Sequence, residues 1–529
     1  AARSASGAGC RAGARRRCSS LPSEEGAGKA ARLPDTGGGL QNLPKELLAG
    51  IGEQFLDYPV WHCCQLGGAS AHLGKVYMDD ALWQGLYDTR FCPTSRSLRR
   101  RVHLDTPASA RARYAQLHGL EARFREGQYA ASSLLEHSKS KQGLAVLDLR
   151  VAPASAADGA ASRTAFAALR DGSVMVYDMD PARARQEGDG GQPGPAQAAP
   201  LRELRPQRPG GPAVCCLPLE PASGDGKPIL VAGYALGRIG AWVLPGGPVC
   251  TPRSWEEAHQ GRVSALAAFP GGGGLLSASS DGLIKEWSLD GDRLGEMRTV
   301  LPGHRASVAS VAAQPGGRHL FLSGGHDRTM CLWDVRAGAA VSRWQQKDWV
   351  TCVEFHPTLE GRILSSDKSV HQWDLRQPGA PPLCSSHRHR KLVSRFRLDP
   401  MRLASCSLDG TVKVSSLEEP GRRVASPNAS PRSSPLLGPA LAPDELLRAL
   451  SEEAGDVCTL TRRSDYVLSI DFDATSLLAG SVDGHVDVYD FSDKGSFRDA
   501  PPRLDSETPF EAGDEEVEMQ MTGLQDVYN

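Results

Sequence analysis

Histidine, aspartate and tryptophan recur at matched spacings in the middle of this chain. His259, Asp281 and Trp287 are followed by His304, Asp327 and Trp333, with 22 residues from His to Asp in the first set and 23 in the second. The matched spacing lets each His meet its Asp. Together with the many serines nearby, these are the residue types of nucleophilic catalysis. Yet no nucleophile elbow, phosphate-binding loop or HExxH accompanies them. The expectation is a protein that is not an enzyme, with no catalytic residue, no metal site and no cofactor. The run His387-Arg388-His389-Arg390-Lys391 has the composition of a metal or nucleic-acid site, but reads better as a solvated loop that lends one His to the same pattern.

The elements that position these residues are short and repeated. Tyr177, Trp242, Trp287, Trp333, Trp373, Ser415 and Tyr489 each end an alternating strand, at steps of 65, 45, 46, 40, 42 and 74 residues. Most steps match the period of a four-stranded propeller blade. An Asp stands six residues before all but one of these positions, at Asp171, Asp281, Asp327, Asp367, Asp409 and Asp483; repeat two has Leu236 there, and repeat six has Ser415 in the aromatic slot. Seven repeats are therefore expected over residues 129–492, two of them degraded. The long steps mark insertions near 181–200 and 418–455, both following a third strand and so on one rim. Residues Tyr129 to Leu135 precede repeat one, while repeat seven stops near Phe491 without an outer strand. These two are expected to pair and close the ring.

Composition agrees with a loop-rich β protein. The 529 residues include 57 Gly and 37 Pro, suited to many tight turns. Lys plus Arg at 60 against Asp plus Glu at 62 gives a formal charge of -2, so no bulk attraction to nucleic acid or membrane is expected. The 13 cysteines are scattered without a CxxC, which points to a reducing compartment, cytoplasmic or nuclear. No apolar run reaches the roughly 18 residues of a membrane span. Residues 1–40 read as a disordered tail; their Arg-rich, acid-free start also has the composition of an organelle transit peptide. Residues 493–529 form an acidic tail. The 418–455 insertion carries Ser-Pro pairs at Ser426, Ser430 and Ser434.

Ahead of the repeats lies a small helical module, residues 41–90. Leu47, Leu48, Ile51, Phe55 and Leu56 fall at helical spacing, with Pro44 in the first turn where its missing N–H costs nothing. A second apolar segment runs through Trp61 and Leu66, and a third ends at Trp83, Leu86 and Tyr87. In the linker region 91–128, Thr106-Pro107 is a good helix start and Gly127 a good stop, with Leu117, Leu120 and Phe124 on one stripe. Such a helix would hold module and repeats at a fixed separation.

The repeats resemble those of the WD-repeat family, whose blades bury a hydrogen-bonded tetrad of His, Ser or Thr, Asp and Trp. The resemblance assigns His259, Ser277, Asp281 and Trp287 to one tetrad and His304, Ser323, Asp327 and Trp333 to another, as scaffold. Buried Asp must be paired and a buried indole N–H needs an acceptor. The module, through its LPxELLxxI opening and Leu82-Trp83-x-x-Leu86 close, resembles an F-box. It departs from that family at Gly67-Gly68 and His72. The implied architecture is mainly β: a seven-bladed WD-repeat propeller preceded by an F-box-like module and a linker helix.

The layout is similar to that of substrate receptors of SCF-type cullin-RING ubiquitin ligases. The likeness implies that Leu43, Pro44, Leu47, Leu48, Ile51 and Leu56 enter a groove of a Skp-type adaptor. It implies a protein substrate met by the Asp-turn face, where Arg262, Arg305, Arg328, Lys347, Lys368 and Arg390 offer bidentate contacts to phosphate. Neither nucleic acid nor membrane is implied as a partner. Two alternatives stand beside it. Trp333-Asp334-Val335-Arg336 and Trp373-Asp374-Leu375-Arg376 match the WDxR ending of receptors for the cullin system with the triple-propeller adaptor, to which Arg336 and Arg376 would bind. A WD-repeat scaffold with no ligase, its helices a simple cap, is the other.

Overall fold

The computed structural model describes Trp83, Gln84 and Tyr87 and, from Ser109 to Ser492, all residues except 136–144, 153–162, 180–199, 207, 209, 220–227, 245–252, 272–273, 291–292, 401, 418–456 and 463–465. Seven antiparallel sheets follow one another in it. Blade three is typical: Val263–Ala268, Leu275–Ser279, Leu283–Trp287 and Met297–Pro302 hydrogen-bond in that order. Blade four repeats it with Val308–Ala313, Leu320–Gly325, Thr329–Asp334 and Ala339–Gln345. In both, the second strand is the most buried, because it is packed on both faces by neighbouring blades. The innermost strands of successive blades touch all the way round, including Val467–Phe472 of blade seven against Val146–Ala152 of blade one.

Closure occurs as the sequence predicts. Ala130–Leu135 pairs antiparallel with Val486–Asp490, the third strand of blade seven, so a strand from ahead of blade one completes the last sheet. Tyr129 secures it from below, its hydroxyl donating to the Leu460 carbonyl at 2.6 Å. Blade two differs: among the described residues it has three strands, Ala213–Leu219, Ile229–Tyr234 and Ile239–Val243. A short helix, Arg253–Glu256, lies beside the third of these, and the fully buried Trp255 packs with Ile239 and Ala241.

Both insertions fall between a third and an outer strand, Val174–Asp178 to Pro200–Leu204 in blade one and Thr411–Ser416 to Cys458–Arg462 in blade six. Pro200, placed at the end of the first insertion by the sequence reading, begins the outer strand. In a four-stranded antiparallel meander the turn after the third strand lies at the opposite end from the Asp turn after the second. Both insertions thus leave from the face opposite the Asp turns.

The linker helix, α1, spans Ala110–Glu126. Its start is later than the Thr106-Pro107 signal suggested: Ser109 is the N-cap, its Oγ accepting from the Ala112 N–H at 3.2 Å. Gly127 ends it in the left-handed conformation at φ 67, where glycine is unstrained. Leu117, Leu120 and Phe124 are buried as the stripe predicted, in one cluster with Ala404, Val412, Leu460 and Phe472 of blades six and seven. α1 is therefore part of the propeller's core. Phe124 stacks on Phe491 at 3.6 Å, and Arg123 Nε donates to the Phe491 carbonyl at 2.6 Å. Arg402, buried, lies 3.9 Å from the Phe124 ring and 4.5 Å from the Phe472 ring while Nε bonds Asp399 at 2.8 Å. The positions proposed for adaptor docking, Leu43 to Leu56, lie outside the described residues, as do residues 1–40 and 493–529.

Candidate functional site

The two expected tetrads are formed. In blade four Trp333 Nε1 donates to Ser323 Oγ at 2.7 Å, Ser323 Oγ meets His304 Nε2 at 2.6 Å, and His304 Nδ1 meets Asp327 Oδ2 at 3.0 Å. Blade three matches it, with Trp287 to Ser277 at 2.8 Å, Ser277 to His259 at 2.7 Å and His259 to Asp281 at 3.0 Å. Burial alone would raise the Asp281 carboxyl, but the His259 hydrogen bond and the Leu283 and Gln260 N–H groups bring it down to about 2. An ionised Asp accepts a hydrogen bond from Nδ1–H, leaving Nε2 to accept from the serine hydroxyl. That is the polarity of a catalytic relay, but each serine oxygen already accepts an indole N–H and both serines are fully buried. No substrate carbonyl can reach them.

Two further blades build the same network from other residues. In blade five Gln346 takes the histidine's place, donating to Ser365 Oγ at 2.5 Å beside Trp373 Nε1 at 2.8 Å. Blade six replaces the missing indole with a second imidazole. His389 fills the usual position, bonding Ser405 at 2.8 Å and Thr411 at 2.8 Å, while His387 spans Ser405 at 2.7 Å and Ser415 at 2.8 Å. Both histidines of the run are thus structural. His387 is held at φ 52, a left-handed backbone rare for a residue with a side chain.

The site open to a partner lies on the axis. On six inner strands one residue is unmatched in the pairing with the second strand: Leu147, Val214, Ser264, Ala309, Ser394 and Leu468. Such a bulge re-aims a side chain. Val214, Ser264, Ala309 and Ser394 line a cavity of 680 Å³ at the Asp-turn end of the ring, and Leu147 and Leu468 pack with Leu392 and Leu408 at its side. The remaining wall includes Leu236, Arg262, His326, Trp349 and Arg395. His326 and Trp349 stack at 4.0 Å, 9° from parallel. Burial, with Arg262 adding to it, pushes the His326 imidazole down to about 4. The mouth's positive charge at neutral pH therefore comes from Arg262 and Arg395, and no carboxylate lines it.

Arg395 is anchored across the channel. Its Nη2 lies 3.4 Å from Asp148 Oδ1, which also accepts the Ser469 hydroxyl at 3.0 Å. Burial raises the Asp148 carboxyl, but Arg150, Arg395 and Arg397 and the Cys216 N–H more than offset it and the group is held below the usual range. Arg397 Nη1 bonds Glu354 Oε1 at 2.6 Å. The blade-one carboxylate, itself held by a blade-seven hydroxyl, thus fixes the blade-six Arg395 guanidinium at the floor of the mouth.

Of the six cations expected to read a substrate, the structure brings only Arg262 into this mouth. Arg305, Arg328, Lys347 and Arg390 are exposed on the surrounding rim, and Lys368 is half-buried in the blade-five Asp turn. Nothing in the repeat pattern of the sequence marks His326, Trp349 and Arg395, which the structure places in the wall. Arg336 and Arg376 are exposed at the end of their third strands, on the opposite face. Arg336 already forks onto its own Asp334, Nη2 to Oδ2 at 2.8 Å and Nε to Oδ1 at 3.2 Å. Among the described residues no group of three or more His, Cys, Asp or Glu could hold a metal, and no helix is long and apolar enough to cross a membrane.

The comparisons with known proteins bear on the repeats alone. The family model "WD domain, G-beta repeat" matches residues 251–288 and 295–334, the stretches that supply the two complete tetrads. Protein SPA1-RELATED 3 of Arabidopsis thaliana is 38% identical over 102 residues, 18% of this chain and 12% of that protein. Pre-mRNA-processing factor 17 of Homo sapiens is 38% identical over 60 residues, 11% of this chain and 10% of that one. The matches thus span about an eighth or less of those relatives' own length. Among solved structures, the WD40 β-propeller domain of Doa1 aligns over 70% of this chain and 98% of its own, at 18% identity and a TM-score of 0.46. With seven sheets in a closed ring and tetrads in the two matched repeats, the chain is a seven-bladed β-propeller that carries WD repeats.

Proposed function

We propose that this protein is the substrate-recognition subunit of an SCF-type cullin-RING ubiquitin ligase, a non-catalytic receptor whose propeller mouth binds a protein and whose amino-terminal module binds a Skp-type adaptor. The observation that supports it is the packing of the module's described residues, Trp83, Gln84 and Tyr87, on α1. The end of the F-box-like segment sits against α1: Trp83 meets Tyr114 edge-on at 5.4 Å, and Arg113 Nη2 donates to Gln84 Oε1 at 3.3 Å. α1 is in turn fused into blades six and seven. A rigid connection gives a receptor its use, since ubiquitin transfer requires a captured substrate to be held at a set distance from the transferring partner, at high effective concentration. A cap that merely covered the propeller would not need the F-box-like apolar opening at Leu43 to Leu56.

The deciding experiment is co-purification of the full chain with a Skp-type adaptor. The intact protein recovers the adaptor, and Leu47→Asp with Ile51→Asp abolishes recovery while the thermal midpoint of the propeller stays unchanged. An intact chain that recovers no adaptor, or a double variant that retains it, overturns the reading.

A further inference from the structure

We infer that the mouth is occupied in the resting protein by the chain's own acidic tail, residues 504–529, which a partner must displace. This rests on the mouth being the recognition face, and not on adaptor docking. Residues 504–529 contain eight carboxylates, Asp505, Glu507, Glu511, Asp514, Glu515, Glu516, Glu518 and Asp526, and no Lys or Arg. Apolar residues are interleaved with them, among them Val517, Met519 and Met521 beside the densest acidic run.

The mouth is the complement of such a segment. It is lined by two guanidiniums, of Arg262 and Arg395, no carboxylate, and an apolar wall that includes Trp349, Leu236 and Leu392. Leu236, on that wall, is 65% exposed. The rim adds Arg305, Arg328, Lys347 and Arg390, all exposed. Four of the Asp-turn carboxylates are turned inward: Asp281 and Asp327 to their histidines, Asp367 to His371, and Asp409 to the Arg390 N–H and Thr411. An acidic segment therefore meets a wall with two guanidiniums and no carboxylate, ringed by further cations, and the fit is electrostatic and apolar together.

Reach permits it. The chain leaves blade seven at Ser492, on the face opposite the Asp turns, 22 residues before Asp514. Fully extended, that stretch covers about 70 Å. The route outward past the closing strand, across one strand length and inward over four strands to the axis is about 50 Å. A tether of this length keeps the tail at a high effective concentration, so even a weak contact keeps the mouth filled.

The test uses the full chain and a fluorescent peptide of residues 504–529. A full-length variant with Asp514→Lys, Glu515→Lys, Glu516→Lys and Glu518→Lys has its own tail repelled from the mouth. It should bind the peptide about tenfold or more tighter than the unaltered chain, with affinity falling as salt rises. Adding Arg262→Glu and Arg305→Glu to that variant should abolish binding; if these changes prevent folding, a peptide carrying the same four Lys substitutions must fail to bind instead. Equal peptide affinity for the two chains overturns the proposal. So does binding indifferent to the mouth or peptide changes, or a dimer of the unaltered chain that the tail variant dissolves. Adaptor recovery is measured on the same samples, and its loss would sink the ligase reading while leaving this one standing.

Discussion

Ser323 shows how one small side chain can hold a blade together. Its oxygen is where an indole N–H and an imidazole nitrogen meet, both buried. Ser323→Ala leaves the two without their partner, and since each unsatisfied buried group costs about 1–3 kcal/mol, the loss should be about 2–4 kcal/mol in urea unfolding. A loss below about 1 kcal/mol would contradict the tetrad's role. The histidines make a second prediction. Burial holds His326 and His356 down to about 4, and depresses His304, His387 and His389 as well. Unfolded, these groups take up protons near pH 6.5 while the folded protein refuses them. Their contribution is complete above about pH 6.5 and is lost as pH falls toward about 4. The urea midpoint should therefore drop between pH 7 and pH 5, and a flat profile there would refute the assignment of neutral buried imidazoles. The carboxyl of Asp281, lowered from 3.8 to about 2, adds its own loss only below that window.

Among the elements, α1 carries the mechanical load. Phe124→Ala removes a ring stacked between Phe491 and the Arg402 guanidinium, at a cost of about 3–5 kcal/mol. Hydrogen exchange should show the α1 amides opening while blades three and four keep their protection; uniform loosening would mean that α1 is no separate unit. Gly119 offers the opposite change. A Cβ there meets only Arg123 Nη1, at 3.8 Å, so Gly119→Ala should raise stability by about 0.5–1 kcal/mol through the backbone alone. The bulged inner strands matter for a different reason. A one-residue slip turns the side-chain alternation inside out, and at four of the six bulged blades the slipped residue lines the channel mouth.

On the scale of the whole molecule, stability rests on a closed circle. Ala130–Leu135 supplies the fourth strand of blade seven, and in doing so joins the start of the repeat region to its end. A chain starting at residue 137 leaves the Val486–Asp490 edge bare and removes α1 from the core of blades six and seven. Such a chain should aggregate or lose its cooperative unfolding transition, as followed by light scattering and circular dichroism. Retained cooperative unfolding would show that the ring closes with blade seven reduced to three strands.

The repeat number, the tetrads of blades three and four, the closing strand and the buried stripe of α1 were all legible in the sequence. All but the closing strand are written within some 30 consecutive residues or in a spacing that recurs, because a blade's strands pair with their neighbours in the chain; the closing strand is legible because blade seven lacks an outer strand and Tyr129 to Leu135 belong to no repeat. Three features were decided by the tertiary structure alone. His387 enters the indole's place in blade six only because Ser415 leaves room for it, a substitution between positions 28 residues apart. The inner-strand bulges are invisible in an alternating pattern, since the slip depends on what the partner strand offers. The mouth joins Arg262, His326, Trp349 and Arg395 from four different blades. No periodicity records which residues of separate repeats will face one another across an axis; that follows from the number of blades and the closing of the ring.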